Sequence, residues 1–330
     1  MNTRQGCPPS AWLIWVALVS LCSLAPVAVA RRVSVKRADY HGWPDSLIIG
    51  NGQVEAVIVP AVGRVMQFRF AGEAGPWWEN RALDGRAPDP QATTWGNFGG
   101  DKAWPAPQAD WPTVAERGWP PPPAFDSMPV TASVSAGTVE LVSPVDPHYG
   151  IRARRRIQLD PERPVMTITT AYEKVAGEPK RVAVWVVTQL QDPVGVYLPL
   201  PQASRYPEGY NRQSKELPPG LKVESGLLSL TRDPKTSHKI GSDAGTLLWV
   251  GEKYVLRIDS PRVPEAEYPD QGSSAEVYTN PDPAAYVELE MLGPLSTLRV
   301  GERITRTSTY TLRRRTEKGA TDEARKLLSR

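Results

Sequence analysis

The chain reads as an all-β protein, one large antiparallel sandwich that follows an N-terminal leader. Three observations predict this. Short alternating or β-branched runs recur along the chain between Gly, Pro, Asn and Asp, the pattern of antiparallel strands. Only the polar stretch 321–328 reads as a helix, and no break in composition divides the rest, so a single sandwich is expected rather than two domains.

The first thirty of the 330 residues stand apart. Arg4 gives a basic start, 11–21 is an apolar run, and Ala28-Val29-Ala30 offers a small-x-small cleavage site before Arg31-Arg32. That is a secretory signal, too short and wrongly flanked for a membrane span. The expected organisation is therefore a signal peptide over 1–30, the sandwich over 31–312 and a charged C-terminal tail over 313–330, with a periplasmic or secreted location. Cys7 and Cys22 both lie in the leader, so the mature chain has no thiol for a disulfide, a nucleophile or a metal. Leu21 argues against lipidation at Cys22.

Strands are expected at 46–49 and 53–59 around the Gly50-Asn51-Gly52 turn, then at 64–70. They continue at 131–135, 138–142, 151–159, 165–174 and 182–190, and later at 226–230, 246–250, 254–260, 275–279, 286–292 and 304–312. Residues 199–219 read as a long Pro-rich connection. Val182 to Val187 is apolar on both faces, which predicts a central, doubly covered strand. Arg152, Arg154 and Arg156 alternate onto one face, either a solvated face paired with carboxylates or a basic wall for an acidic ligand.

Between 77 and 119 lie six of the 11 Trp, and Pro recurs there up to Pro120-Pro121-Pro122-Pro123. Pro removes backbone donors, so 95–112 is expected to be a rigid irregular loop and neither a helix interior nor a central strand. Long ordered loops of this kind carry function.

The formal charge of +3 falls by one when Arg4 leaves with the leader, and nothing in that balance points to nucleic acid. There is no Walker A loop, dinucleotide fingerprint, His-Glu-x-x-His or Gly-x-Ser-x-Gly. The three histidines, His41, His148 and His238, are scattered, so neither a metal site nor any cofactor is expected.

Carboxylates, amides and indoles remain, the side chains that suit carbohydrate. A sugar ring has an apolar face that stacks on an aromatic plane and a rim of hydroxyls that needs polar side chains. Trp95, Asn97, Asp101, Lys102, Trp104, Gln108 and Trp111 supply both kinds in the loop. A second candidate is the strand bearing Glu276 and Tyr278 on one face, which runs into the turn Asn280-Pro281-Asp282.

Asn51-Gly52 and the following Val54 to Val65, which includes Arg64, resemble the opening of the aldose 1-epimerase (galactose mutarotase)-like superfamily. Residues 286–295 with Leu298-Arg299-Val300-Gly301-Glu302 resemble its ending, with Val300 in place of Pro. Gly99-Gly100-Asp101-Lys102-Ala103-Trp104-Pro105 is similar to the loop before its sugar pocket. Combined with Glu276-Val277-Tyr278-Thr279-Asn280-Pro281, it resembles the bacterial family called DUF4380.

The resemblance implies a β-supersandwich with a sugar cleft on a concave face and Glu276 as the base that takes the anomeric proton. It also implies a histidine at the end of the central strand, where this chain has Gln189, which does not exchange protons near neutral pH. Asp101, Lys102 and His148 are the candidate replacements. Arg64, Asn97, Gln108, Gln189, Tyr278 and Asn280 are candidate contacts for hydroxyls, with Trp95, Trp104 and Trp111 shaping the cleft. The expected partner is a small sugar or glycan. Three activities follow: an epimerase-like isomerase, a non-catalytic sugar-binding protein, or part of a polysaccharide lyase or hydrolase with Asp101 and Glu276 as the carboxylate pair.

Overall fold

The computed structural model describes residues 1–3, 6 and 33–329. The predicted leader falls almost wholly outside these residues. From residue 33 onward the chain forms two large antiparallel sheets packed face to face. One sheet, of eleven strands, runs in the order Ser34–Tyr40, Trp43–Gly50, Val54–Val59, Arg64–Phe70, Asp101–Ala106, Lys180–Gln191, Tyr286–Leu292, Ala275–Thr279, His238–Ser242 and Asn211–Arg212, with Ser296–Leu298 added beside Lys180–Gln191. The other, of ten, runs Lys222–Glu224, Leu227–Leu230, Gly195–Pro199, Thr246–Val250, Tyr254–Asp259, Arg303–Arg314, Val165–Lys174, Ile151–Leu159, Thr138–Asp146 and Thr131–Ser135.

The expected all-β class holds, and Val182 to Val187 lies in the middle of the first sheet with every side chain buried. The core between the sheets draws Ile49, Phe68, Val184 and Leu289 from one and Ile157, Ile168, Leu256 and Leu312 from the other. Burying such side chains contributes about 1.5–3 kcal/mol each. Among Arg152, Arg154 and Arg156, Arg154 pairs with Glu140 at 2.9 Å and Glu173 at 2.8 Å, which favours the solvated-face reading. The final helix, Ala320–Leu328, docks Ala324 and Leu327 against Tyr197, Leu248 and Val255, so the segment beyond 313 packs on the sandwich.

One expectation is corrected. Asp101–Ala106, placed in an irregular loop by its proline, is a strand paired along Ala183 to Thr188, with Pro105 opposite Val184. Its other neighbour, Arg64–Phe70, meets it only at Val65 and Asp101. From Lys102 onward the strand is therefore paired along one side only, and a residue without an N–H is tolerated beside the open one.

The diglycine before this strand is a bend that other residues cannot make. Gly99 and Gly100 have φ of +91° and +69°, and a Cβ would stand 2.3 Å from the Trp78 carbonyl oxygen and 2.6 Å from that of Val65. Backbone bonds from Gly100 to Trp78 and from Gln189 to Gly100, both 3.0 Å, lock it to the central strand.

Candidate functional site

Alternation and register together build the site. Successive residues of a strand face opposite sides, and cross-strand partners share a side. On the outer face of the eleven-stranded sheet, one row runs Lys102, Val187, Glu290, Glu276, Gly241 and Asn211. The row beside it runs Gln189, Glu288, Tyr278 and Lys239. Trp104 and Trp185 face each other on the far side of the first row. Two lysines, three glutamates and a glutamine thus converge on an area only a few strands wide.

Charge organises this patch. Glu276 and Glu290 are direct cross-strand neighbours, an arrangement that is unfavourable for like charges alone. Lys239 bridges them, with Nζ 2.7 Å from Glu276 and 2.9 Å from Glu290. Burial by itself would lower the Lys239 ammonium, but the two carboxylates override it and hold it above the ordinary lysine value. Burial pushes Glu290 up, and Glu276 and Glu288 add to the effect while Lys239 opposes it. Gln213 donates to the free side of Glu276 at 2.5 Å. It reaches there because position 241 is glycine, where a Cβ would lie 2.4 Å from the Gln213 amide nitrogen.

At the other end, Lys102 Nζ stands 3.6 Å from Glu288 and rests against the rings of Trp95 and Trp104 at 5.4 and 5.1 Å. Burial pushes this ammonium down to about 8, with the Glu288 carboxylate opposing. Asp270, beside the patch, is raised to about 6 by burial and then by the charge of Glu276. The floor (Lys102, Gln189, Glu276, Glu290) is buried, and the surrounding Trp78, Trp95, Asn97, Gln213, Tyr278 and Asp270 are half-exposed. Trp78 packs on Tyr286 at 4.7 Å, and Gln189 and Asn97 lie beside the Tyr286 hydroxyl.

Of the residues expected from sequence, Glu276, Lys102, Gln189, Tyr278, Trp95, Asn97 and Trp104 meet on this face. Others do not. Asp101 points to the opposite side, between the sheets, where its carboxylate pairs with Arg155 and accepts from Thr188 and Tyr310, each at 2.6 Å. The adjacent residues 101 and 102 of one strand cannot share a face, so the Asp101 and Glu276 pair imagined for hydrolysis is split by the sheet.

Arg64 is fully buried and pairs with Asp126 at 2.7 Å, while Asp126 also accepts from the indoles of Trp95 and Trp104 at 3.0 Å. This clamp holds the Trp segment on the sheet. Trp111 is buried and donates to the Pro105 carbonyl at 2.7 Å. Gln108 is exposed in the turn Gln108–Asp110, and Asn280 stitches its own turn through the Pro281 and Ala284 carbonyls while accepting from the Tyr278 hydroxyl. His148 lines a neighbouring groove.

Sequence reasoning missed Glu288, Glu290, Lys239, Gln213, Tyr286 and Trp185. The strand Tyr286–Leu292 carried a usable signal: two glutamates spaced by two in an otherwise apolar run belong on one face.

A family model described as a domain of unknown function, DUF4380, matches residues 45–313. The chain belongs to the DUF4380 family. Its fold is shared by solved structures at low identity. A candidate aldose 1-epimerase from Escherichia coli K12 is 13% identical, with 85% of this chain and 100% of that one covered at a TM-score of 0.53. A galactose mutarotase-like protein from Lactobacillus casei is 10% identical, with 81% and 100% covered at 0.55. Another from Clostridium acetobutylicum is 10% identical, with 86% and 99% covered at 0.52. No curated protein matches the sequence. This DUF4380 member therefore has the galactose mutarotase-like sandwich that its sequence resembles. Among the described residues, no helix is long and apolar enough to cross a membrane, and no group of three or more His, Cys, Asp and Glu is placed to hold a metal.

Proposed function

We propose that this protein binds a saccharide on the charged outer face of its eleven-stranded sheet, in the periplasm or after secretion. One observation carries the reading. The ammonium of Lys102 and one oxygen of Glu290 are buried on this face without a hydrogen-bond partner among the described residues, and the buried Gln189 amide has no neighbour for a hydrogen bond beyond the Tyr286 hydroxyl. Buried polar groups are nearly always paired, and exceptions mark ligand or water positions. A sugar hydroxyl donates and accepts at once, so it suits an amide facing it with both kinds of atom. Trp95 and Trp78, both half-exposed, supply aromatic surface beside those groups.

A second reading, catalysis of anomer exchange, is favoured by Lys102, whose pKa of about 8 suits proton transfer near neutral pH. Glu276 takes the proton of the anomeric hydroxyl while Lys102 gives one to the ring oxygen. The bond from the anomeric carbon to that oxygen breaks, leaving the open-chain aldehyde, and the reverse step closes either anomer. Gln189 at the histidine position fits binding without turnover.

Calorimetric titration with a panel of aldoses, uronic acids and short glycans tests the binding reading. Binding that is lost in both Glu288→Gln and Lys102→Met supports it, and a panel without a single binder sinks it. Exchange spectroscopy by NMR on the bound sugars tests turnover. A rate above buffer that falls by about 10²–10⁴ in Lys102→Met is expected for a general acid, whereas a rate equal to buffer leaves only the binding role.

A further inference from the structure

A groove of about 630 Å³ lies beside the Trp segment, lined by Trp119, Arg117, Asp146, His148 and the prolines Pro122 and Pro123. That volume is in the range of small-molecule sites, about 300–1,000 Å³. Asp146 is fully buried there. One of its oxygens accepts from the backbone of His148 at 3.0 Å and Tyr149 at 2.8 Å, while Oδ2 has no partner. The Arg117 Nε is likewise buried and unpartnered. Trp119 is 45% exposed although it is a large apolar ring.

Trp119 also ties this groove to the sheet face. It stacks on Trp111 at 6.1 Å and 15°, and meets the edge of Trp95 at 5.2 Å and of Trp104 at 6.0 Å. Those last two rings are the ones that contact Lys102. An acceptor, a donor and an imidazole around an open indole call for a ring with an apolar face and hydroxyls at its edge. The charge of Arg117 stands against those of Asp146 and Glu116, so the groove does not select an anion.

We propose that this groove is a second saccharide subsite, joined to the sheet-face site across Trp119, and that the ligand is a neutral oligosaccharide rather than a single sugar. The proposal rests on the sheet-face reading and extends it. Aromatic anchors of this kind carry much of the energy of a site.

The test is calorimetry on the full chain with cello-, xylo- and malto-oligosaccharides of increasing length. Affinity is expected to rise at least about tenfold from the monosaccharide to the longer members. His148→Trp, which fills the groove, should abolish that rise while leaving monosaccharide affinity unchanged, and Trp119→Ala should abolish the rise as well. His148→Trp is decisive because it does not disturb the indole stack. A monosaccharide that binds as well as its oligomers, or a rise that survives His148→Trp, overturns the subsite and leaves the sheet-face site standing. Absence of binding by every member, monosaccharides included, overturns both.

Discussion

Lys102 and Glu288 stand 3.6 Å apart on the outer face of the larger sheet, while Asp101, the residue next to Lys102, faces the inside and pairs with Arg155. One strand therefore serves two purposes. Its inward acid ties the sheets together, and its outward base belongs to the candidate site.

Asp101→Ala should cost about 3–5 kcal/mol, because it strands the buried Arg155 guanidinium without a counter-charge. Urea unfolding measures this. An equal stability for variant and wild type would remove Asp101 from its role as a tie between the sheets.

Lys102 makes stability depend on pH. Its folded value of about 8 lies below the ordinary 10.5, so between the two the unfolded chain holds more protons and stability rises with pH. The gain through this window is about 3 kcal/mol, relative to Lys102→Met, which lacks it. Urea unfolding of both proteins across the window checks the difference, and parallel pH profiles would contradict it.

Lys239→Met leaves Glu276 and Glu290 opposed in a buried position and should destabilise by about 3–5 kcal/mol. Adding Glu290→Gln removes the repulsion and should recover part of that loss. A double-mutant cycle by thermal unfolding reads the coupling. Strict additivity would mean that Lys239 does not bridge the pair.

Asp126→Ala releases Arg64, Trp95 and Trp104 together. It should lower stability by about 3 kcal/mol and make 84–130 the first region cut by protease. Limited proteolysis that begins elsewhere would contradict the clamp.

Much of this was legible in the sequence. The apolar run at 182–187 gave a central strand because burial on both faces leaves no alternation to preserve. Glu276 and Tyr278 were placed on one face because their strand was recognised and the period of two did the rest. Asp101 was wrongly grouped with Lys102 for the opposite reason. Pro105 hid the strand, and without a strand nothing says that neighbours diverge. Whether a proline interrupts a sheet depends on whether the next strand stays alongside, which is a tertiary property. Lys239 and Gln213 were illegible because His238–Ser242 is short and Asn211–Arg212 pairs through two residues only. Their roles come from register across the sheet, not from any local pattern.

The most direct test is a crystal structure of the protein with a saccharide identified by titration. Sugar hydroxyls are expected within hydrogen-bond reach of the Gln189 amide and the Lys102 ammonium, with a ring against Trp95 or Trp78. Sugar bound away from that face, with Gln189 and Lys102 untouched, would contradict it.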